Sequence, residues 1–285
     1  MEHIGYLASF PTQDYVSFLL SLPNVPPLSI LTFFLLSLMR IAPIAAVAPF
    51  LGARLPSPVK VGITLMFSAI LLPYLISKAT LPALTFNFLF SLYCIKELFI
   101  GFILLFLVSI PFYIAQSAGI FIDFLRGSSA LQVTDPFMQA QSSPIGQLYH
   151  YVFIVIFYEI GGPFLFLESL LNSYTLLPAD HFISPTFFTF QQPLGKFLIS
   201  LLTKFLAIAI QLASPSLVAI LMAEMFLGIV NRLATQIQIA FLGMPIKSLL
   251  GITLIWAGWH FILKQVAQQA LLWIKSFQYL IPSLA

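Results

Sequence analysis

The chain has 285 residues, of which 12 are Lys or Arg and 9 are Asp or Glu; hydrophobic residues make up 60%, charged ones 7%, and mean hydropathy is +1.02. Soluble domains carry about 25% charged residues, and over half of a soluble fold's exterior still has to face water, so this composition excludes an ordinary soluble protein and points to an integral membrane protein, or else a subunit buried almost wholly in a complex. The net charge of +3 comes from scattered single residues with no Lys/Arg run or stripe, which argues against a nucleic-acid partner.

One cysteine, Cys94, excludes an internal disulfide and any multi-cysteine metal site. The start, "MEHIGYLASFPTQDY", has no basic run ahead of an apolar one, so no signal peptide is expected.

A helix needs about 20 apolar residues to cross a bilayer. The first such segment runs from Leu28 to Leu51 and is interrupted by Arg40 and Pro43. The basic, proline-rich turn "GARLPSPVK" follows. Pro56 and Pro58 are expected to keep this turn from continuing as helix, and with Arg40, Pro43 and Lys60 to set the geometry of a first hairpin. The second segment, Val61 to Ser77, lies between Lys60 and Lys78. A third stretch opens at Pro82 and continues to Ile122 with Lys96 and Glu97 as its only charges. It fits one very long helix, two spans with a hairpin, or a span plus an interfacial helix. Periodicity does not choose among them, because apolar residues lie on every side.

A polar insert, "FIDFLRGSSALQVTDPFMQAQSSP", occupies Phe121 to Pro144. Apolar segments resume at Gln147–Leu171, Leu198–Met225 and Ser248–Ile274, with a polar loop carrying Asp180 and His181 after the first of these. The total is about five to seven hydrophobic segments in a single membrane domain covering 1–285, with no internal repeat. Backbone groups in lipid must be satisfied within each segment, so the expected fold is all-α, a polytopic membrane protein, and not a barrel. The acidic N-terminal tail, Arg54 and Lys60 after the first segment, and Lys264 and Lys275 near the end place the N-terminus outside and the C-terminus in the cytoplasm. Trp256, Trp259 and Trp273 fit an interface belt or ordinary packing equally well.

Lone charges within apolar helices cost several kcal/mol unless they pair or reach water. Arg40, Lys96, Glu97, Asp123 and Arg126 therefore stand out. Asp123 and Arg126 are three apart, share a helix face and can pair. Lys96 and Glu97 are adjacent, about 100° apart around a helix, and are expected to point to different partners. Glu224, Gly228, Asn231, Arg232 and Thr235 follow i, i+4, i+7, i+8, i+11 spacing, and Gln236 and Gln238 extend this polar face. Each residue alone reads as a salt bridge or helix contact. The set reads as polar surface packed against other subunits or a watery passage.

No Walker A loop, G-x-G-x-x-G, H-E-x-x-H or G-x-S-x-G occurs, and His3, His150, His181 and His260 are far apart. No catalytic, cofactor-binding or metal site is read from the residues, and an enzyme is not expected. A small-solute or lipid transporter with a midplane site built from Asp123, Glu224 and Arg232 stays open on the residues alone, as does a polytopic membrane enzyme.

Three blocks carry a family resemblance. "RIAPIAAVAPFLGARLPSPVKVGI" (Arg40 to Ile63), "SAGIFIDFLRGSSALQVTDP" (Ser117 to Pro136) and "AEMFLGIVNRLATQIQIAFLGMPIKSLLG" (Ala223 to Gly251) resemble, in order and spacing, the type III secretion export-gate subunit T (SctT) and its flagellar counterpart FliR. The resemblance implies a structural, non-catalytic subunit without cofactor in the bacterial inner membrane. It also implies R-type and S-type gate subunits and a U-type switch protein as partners, with unfolded secreted polypeptides as cargo. Long bent helical hairpins are implied too, so that hydropathy measures burial in lipid or in neighbours. Family members place a plug loop where this chain has about 127–142. Here Gly127 gives backbone freedom, Leu131, Val133, Phe137 and Met138 supply apolar bulk, and Asp135 tolerates water. Pro136 and Pro144 are expected to keep the loop from becoming a continuous helix.

Overall fold

The computed structural model describes residues 26–52, 55–78, 86–127, 143–182, 193–233 and 239–280. Among them the chain forms eight α-helices, a short 3-10 turn at Pro49–Leu51, and no strand. Helix α1 (Pro27–Val47) opens with proline at its first position, where a missing N–H leaves no helical bond unmade. It leaves helical geometry at Ala48, with φ −56° and ψ 127°. Helix α2 (Ser57–Lys78) packs back along α1 as a hairpin. Lys60 at the start of α2 donates to the Ala46 carbonyl at 2.7 Å and so covers one of the open carbonyls at the end of α1. One expectation is corrected here. Pro58 does not stop a helix; it lies in the first turn of α2, where its fixed φ starts one.

Helix α3 (Phe88–Leu125) is continuous over 38 residues. At 1.5 Å per residue it is roughly 57 Å long, far more than the roughly 30 Å of a hydrocarbon core. Of the three readings open for this stretch, one very long helix is the observed one, and Pro111 inside it does not end it. The Gln147–Leu171 segment is two helices, α4 (Pro144–Glu159) and α5 (Gly162–Leu176), bent by 73° at a short break. Helix α6 (Pro193–Leu233) has 41 residues. The last apolar segment is also broken, into α7 (Ile239–Ala257) and α8 (Trp259–Leu280), which meet at 67°. Among the described residues, four helices are long and apolar enough to cross a membrane, or up to six if each bent pair counts as one span. The protein is an all-α polytopic membrane protein.

The chain forms two compact units. The first takes residues up to Leu105 together with Leu170–Ser184, and hence α1, α2, the first part of α3 and the end of α5. Its core includes Phe33, Leu36, Ile44, Leu72 and Leu75, all buried. The second takes Phe106–Ser169 and Pro185–Leu284. There Phe112 is fully buried and meets Phe153 and Phe157 edge-on, with ring centroids 4.8 and 5.2 Å away, and α8 packs on α4, α6 and α7. Each such side chain contributes roughly 1.5–3 kcal/mol when removed from water. Many large apolar residues nevertheless face outward: Phe88, Phe164 and Trp256 are each 80% exposed. Exposed apolar area on this scale suits lipid or protein neighbours, not water.

Candidate functional site

The first unit encloses a charge cluster built on Arg40 of α1. Arg40 and Glu97 of α3 are both 0% exposed. The guanidinium grips the carboxylate with two groups, Nε to Oε2 and Nη2 to Oε1, the latter at 2.9 Å. Its remaining reach is used on α5 and the turn after it. Nη1 donates to Ser173 Oγ at 3.0 Å, and Nη2 donates to the Leu177 carbonyl at 2.8 Å. The Tyr174 ring lies 3.9 Å from the guanidinium carbon, a cation–π contact. Gly101, one turn beyond Glu97, makes the approach of α1 to α3 possible. A Cβ there would stand 2.3 Å from the Arg40 carbonyl oxygen.

Lys96 joins the same cluster. Its ammonium lies 2.7 Å from Glu97 Oε1 and donates to the carbonyls of Pro178, Ala179 and His181 at 2.8, 3.0 and 2.9 Å. The expectation that Lys96 and Glu97 point to different partners is thus corrected in part. They leave the helix in different directions, but the four-carbon lysine stem bends its head back to the neighbouring carboxylate. Asp180, 1% exposed, supplies a further negative charge acting on Lys96. Buried charges need this degree of satisfaction, because removing one partner of a buried pair costs about 3–5 kcal/mol.

A second constellation, in the other unit, stands at both ends of the central polar insert. Asp123, in the last turn of α3, pairs with Arg126 at 2.6 Å through the expected i,i+3 spacing. Its other oxygen accepts from the Ser143 hydroxyl and from the Ile145 backbone N–H, the latter at 2.9 Å. Ser143 caps α4 by accepting from Gly146 N–H at 2.9 Å. Pro144 follows as the first residue of α4, where its missing N–H leaves no helical bond unmade; the loop before Ser143 lies outside the described residues. Gly119 and Gly146 bring the two backbones together, since a Cβ on Gly119 would lie 2.5 Å from Gly146. Gly127 ends α3 with φ of +89°, a conformation that favours glycine. Arg126 also reaches Ser248 of α7 at 3.4 Å. The two ends of the insert are therefore stitched at its base. Leu131, Val133, Asp135, Pro136, Phe137 and Met138 lie outside the described residues.

The third feature is the polar face of α6. Glu224, Gly228, Asn231 and Arg232 are all exposed, while Gln236 lies outside the described residues. Glu224, 52% exposed, pairs with Lys247 of α7 at 2.6 Å. Leu221, Met222, Met225, Phe226, Ile229 and Leu233 are exposed around it. The polar face is set into an outward apolar surface.

Several contributors were invisible to sequence reasoning. Ser173 and Leu177 lie 133 and 137 residues from Arg40, and nothing in the apolar run around them signals their role. For Trp273 of α8, no sequence pattern shows that its indole N–H donates to the Leu107 carbonyl, at 3.1 Å.

Residues 31–272 match the family described as bacterial export proteins, family 1. The chain belongs to this family. The resemblance read from the three sequence blocks is borne out, and all three polar constellations lie within the family 1 match. Among relatives, Yop proteins translocation protein T of Yersinia pestis is 34% identical over 154 residues, 54% of this chain and 57% of that protein. The chain thus spans a little over half the length of that relative. Surface presentation of antigens protein SpaR of Shigella flexneri is 29% identical over 76% of this chain and 80% of its own length. Flagellar biosynthetic protein FliR of Bacillus subtilis is 27% identical over 75% of this chain and 81% of its own length.

Proposed function

We propose that this family 1 chain is the T-type subunit of a bacterial type III protein-export gate. The observation that carries the reading is the family match across 31–272, with relatives named for translocation, surface presentation of antigens and flagellar biosynthesis. In this reading the chain works as one export-gate domain in the inner membrane, with its C-terminus in the cytoplasm. It assembles with R-type and S-type subunits and a U-type switch protein around a path for unfolded polypeptides. It carries out no catalytic step and binds no nucleotide. The outward apolar surface and the polar face of α6 supply contact area for such neighbours.

The 127–142 insert is proposed as the plug of that path. Its stitched base supports this role, because a segment anchored at both ends can leave a path and return to it. Leu131, Val133, Phe137 and Met138, at roughly 1.5–3 kcal/mol each when buried, favour the closed state yet yield to an incoming polypeptide. The transporter alternative needs Asp123, Glu224 and Arg232 at one site. It is disfavoured, since Asp123 and Glu224 pair with Arg126 and Lys247 instead.

Purification in mild detergent followed by mass measurement of the intact assembly tests the gate. A stoichiometric complex with hydrophobic partners is expected; a lone 31.7 kDa chain, under conditions that preserve other gates, overturns the proposal. Replacing Leu131, Val133, Phe137 and Met138 with glycine tests the plug. Cells carrying the assembled gate should then leak halide or dye without cargo, and permeability equal to wild type rejects the plug.

A further inference from the structure

A proline inside a helix has no N–H to give the carbonyl four residues back, and in apolar surroundings a side chain of the same or a neighbouring helix can supply that donor. Two helices of the second unit solve this differently. In α6, Pro215 leaves the Gln211 carbonyl open, and the hydroxyl of Ser214 donates to it at 2.8 Å from the same helix. In α3, Pro111 leaves the Leu107 carbonyl open, and its donor comes from another helix: the Trp273 indole of α8, at 3.1 Å. The first break is self-contained. The second is closed only while α8 keeps its indole in place.

The surroundings of the second break leave room for change. Two small cavities, about 20 Å³ each, lie beside it; both are lined by Pro111, Phe153 and Trp273, and the first also by Gln265 and Gln269. Side chains at the edge of a void lose packing contacts on that side, so Trp273 is less firmly packed than the fully buried Phe112 nearby. The break also falls about one turn beyond Leu105–Phe106, where α3 passes from the first compact unit into the second. Sharp helix bends concentrate at prolines for the same hydrogen-bond reason.

We propose that Leu107–Pro111 is a hinge in α3 and that Trp273 is its releasable latch. With the indole donating, the Leu107 carbonyl is satisfied and α3 holds its course. When the indole withdraws, that carbonyl must find water or another donor, and α3 bends at the break. The latch hydrogen bond runs from side chain to backbone, so the N–H can be removed while an aromatic ring stays in its place. The inference does not depend on the export reading.

The test uses the full chain in lipid nanodiscs and hydrogen–deuterium exchange. Trp273→Phe keeps an aromatic ring and removes the N–H. Amides of residues 104–116 should then exchange about tenfold faster, while those of residues 27–78 stay unchanged. Pro111→Ala in the same background returns an amide donor to the Leu107 carbonyl and should bring exchange back to the wild-type rate or below. Three results overturn the latch: unchanged rates in Trp273→Phe, faster exchange that Pro111→Ala does not reverse, or acceleration that extends equally to residues 27–78. If Trp273→Phe does not accumulate as folded protein, Pro111→Ala alone decides. It should slow exchange at 104–116 by a factor of about three or more, and an unchanged rate rejects the hinge.

Discussion

The Arg40 cluster and the polar face of α6 are both charged features on apolar helices, yet they are treated in opposite ways. Arg40 and Glu97 are fully buried, and the guanidinium is met by a carboxylate, a hydroxyl, a carbonyl and an aromatic ring of the same chain. Glu224 is half exposed, holds one lysine, and sits with Asn231 and Arg232 on a surface where Met222, Met225 and Phe226 also face outward. The first arrangement is complete within one chain and stabilises it. The second leaves most of its polar and apolar surface facing outward. Burial and satisfaction, not charge itself, separate a staple from a contact face.

That contrast can be broken most severely at Glu97. Glu97→Ala leaves Arg40 and Lys96 without their shared carboxylate and should cost about 3–5 kcal/mol, read as loss of folded protein in detergent by thermal unfolding. The double change Arg40→Met with Glu97→Leu should recover a large part of that loss, because an apolar pair of similar size removes both charges together. A double variant as unstable as Glu97→Ala contradicts the staple.

A smaller effect is expected at the stitched base of the insert. Asp123→Ala removes the acceptor of Ser143 and Ile145 and the partner of Arg126. A cost of about 1–3 kcal/mol follows from the donors left open, with faster proteolytic cutting between 127 and 143 than in the wild type. Equal cutting rates mean that the base is held by the Gly119–Gly146 contact alone.

The smallest effect on the chain itself is expected at α6. Glu224→Ala should change stability by under about 1 kcal/mol, since the pair is exposed on the glutamate side and screened by salt. Co-purification with gate subunits should fall for Glu224→Ala and for Arg232→Ala while expression holds. Wild-type stoichiometry in both variants rejects α6 as an assembly surface.

Much of this was legible in the sequence, for reasons that differ by residue. Class and segment positions follow from hydropathy, because a segment that cannot meet water must be helical. The Asp123–Arg126 pair follows from spacing on one helix. Arg40 and Glu97 each stand out as charges in apolar runs, but their mutual pairing spans 57 residues and no local pattern encodes it. The bends at 73° and 67° were missed because neither break carries a polar run. The prolines play different parts: Pro58 and Pro144 lie in the first turns of helices and Pro111 lies inside one. Their effect depends on which N–H and carbonyl groups are already open, and the residue type does not reveal that.

The wide sequence separation within the Arg40 cluster has a consequence for biosynthesis. Arg40 emerges from the ribosome 57 residues before Glu97, and 133 to 137 residues before Ser173 and Leu177. At 5–20 residues per second, that delay is roughly 3–11 s for the carboxylate and roughly 7–27 s for the full set. Over that interval α1 carries an uncompensated arginine, which costs about 2.5–3.5 kcal/mol at mid-membrane on the insertion scale. The first hairpin therefore gains its full set of Arg40 partners only after α3 and α5 have been made.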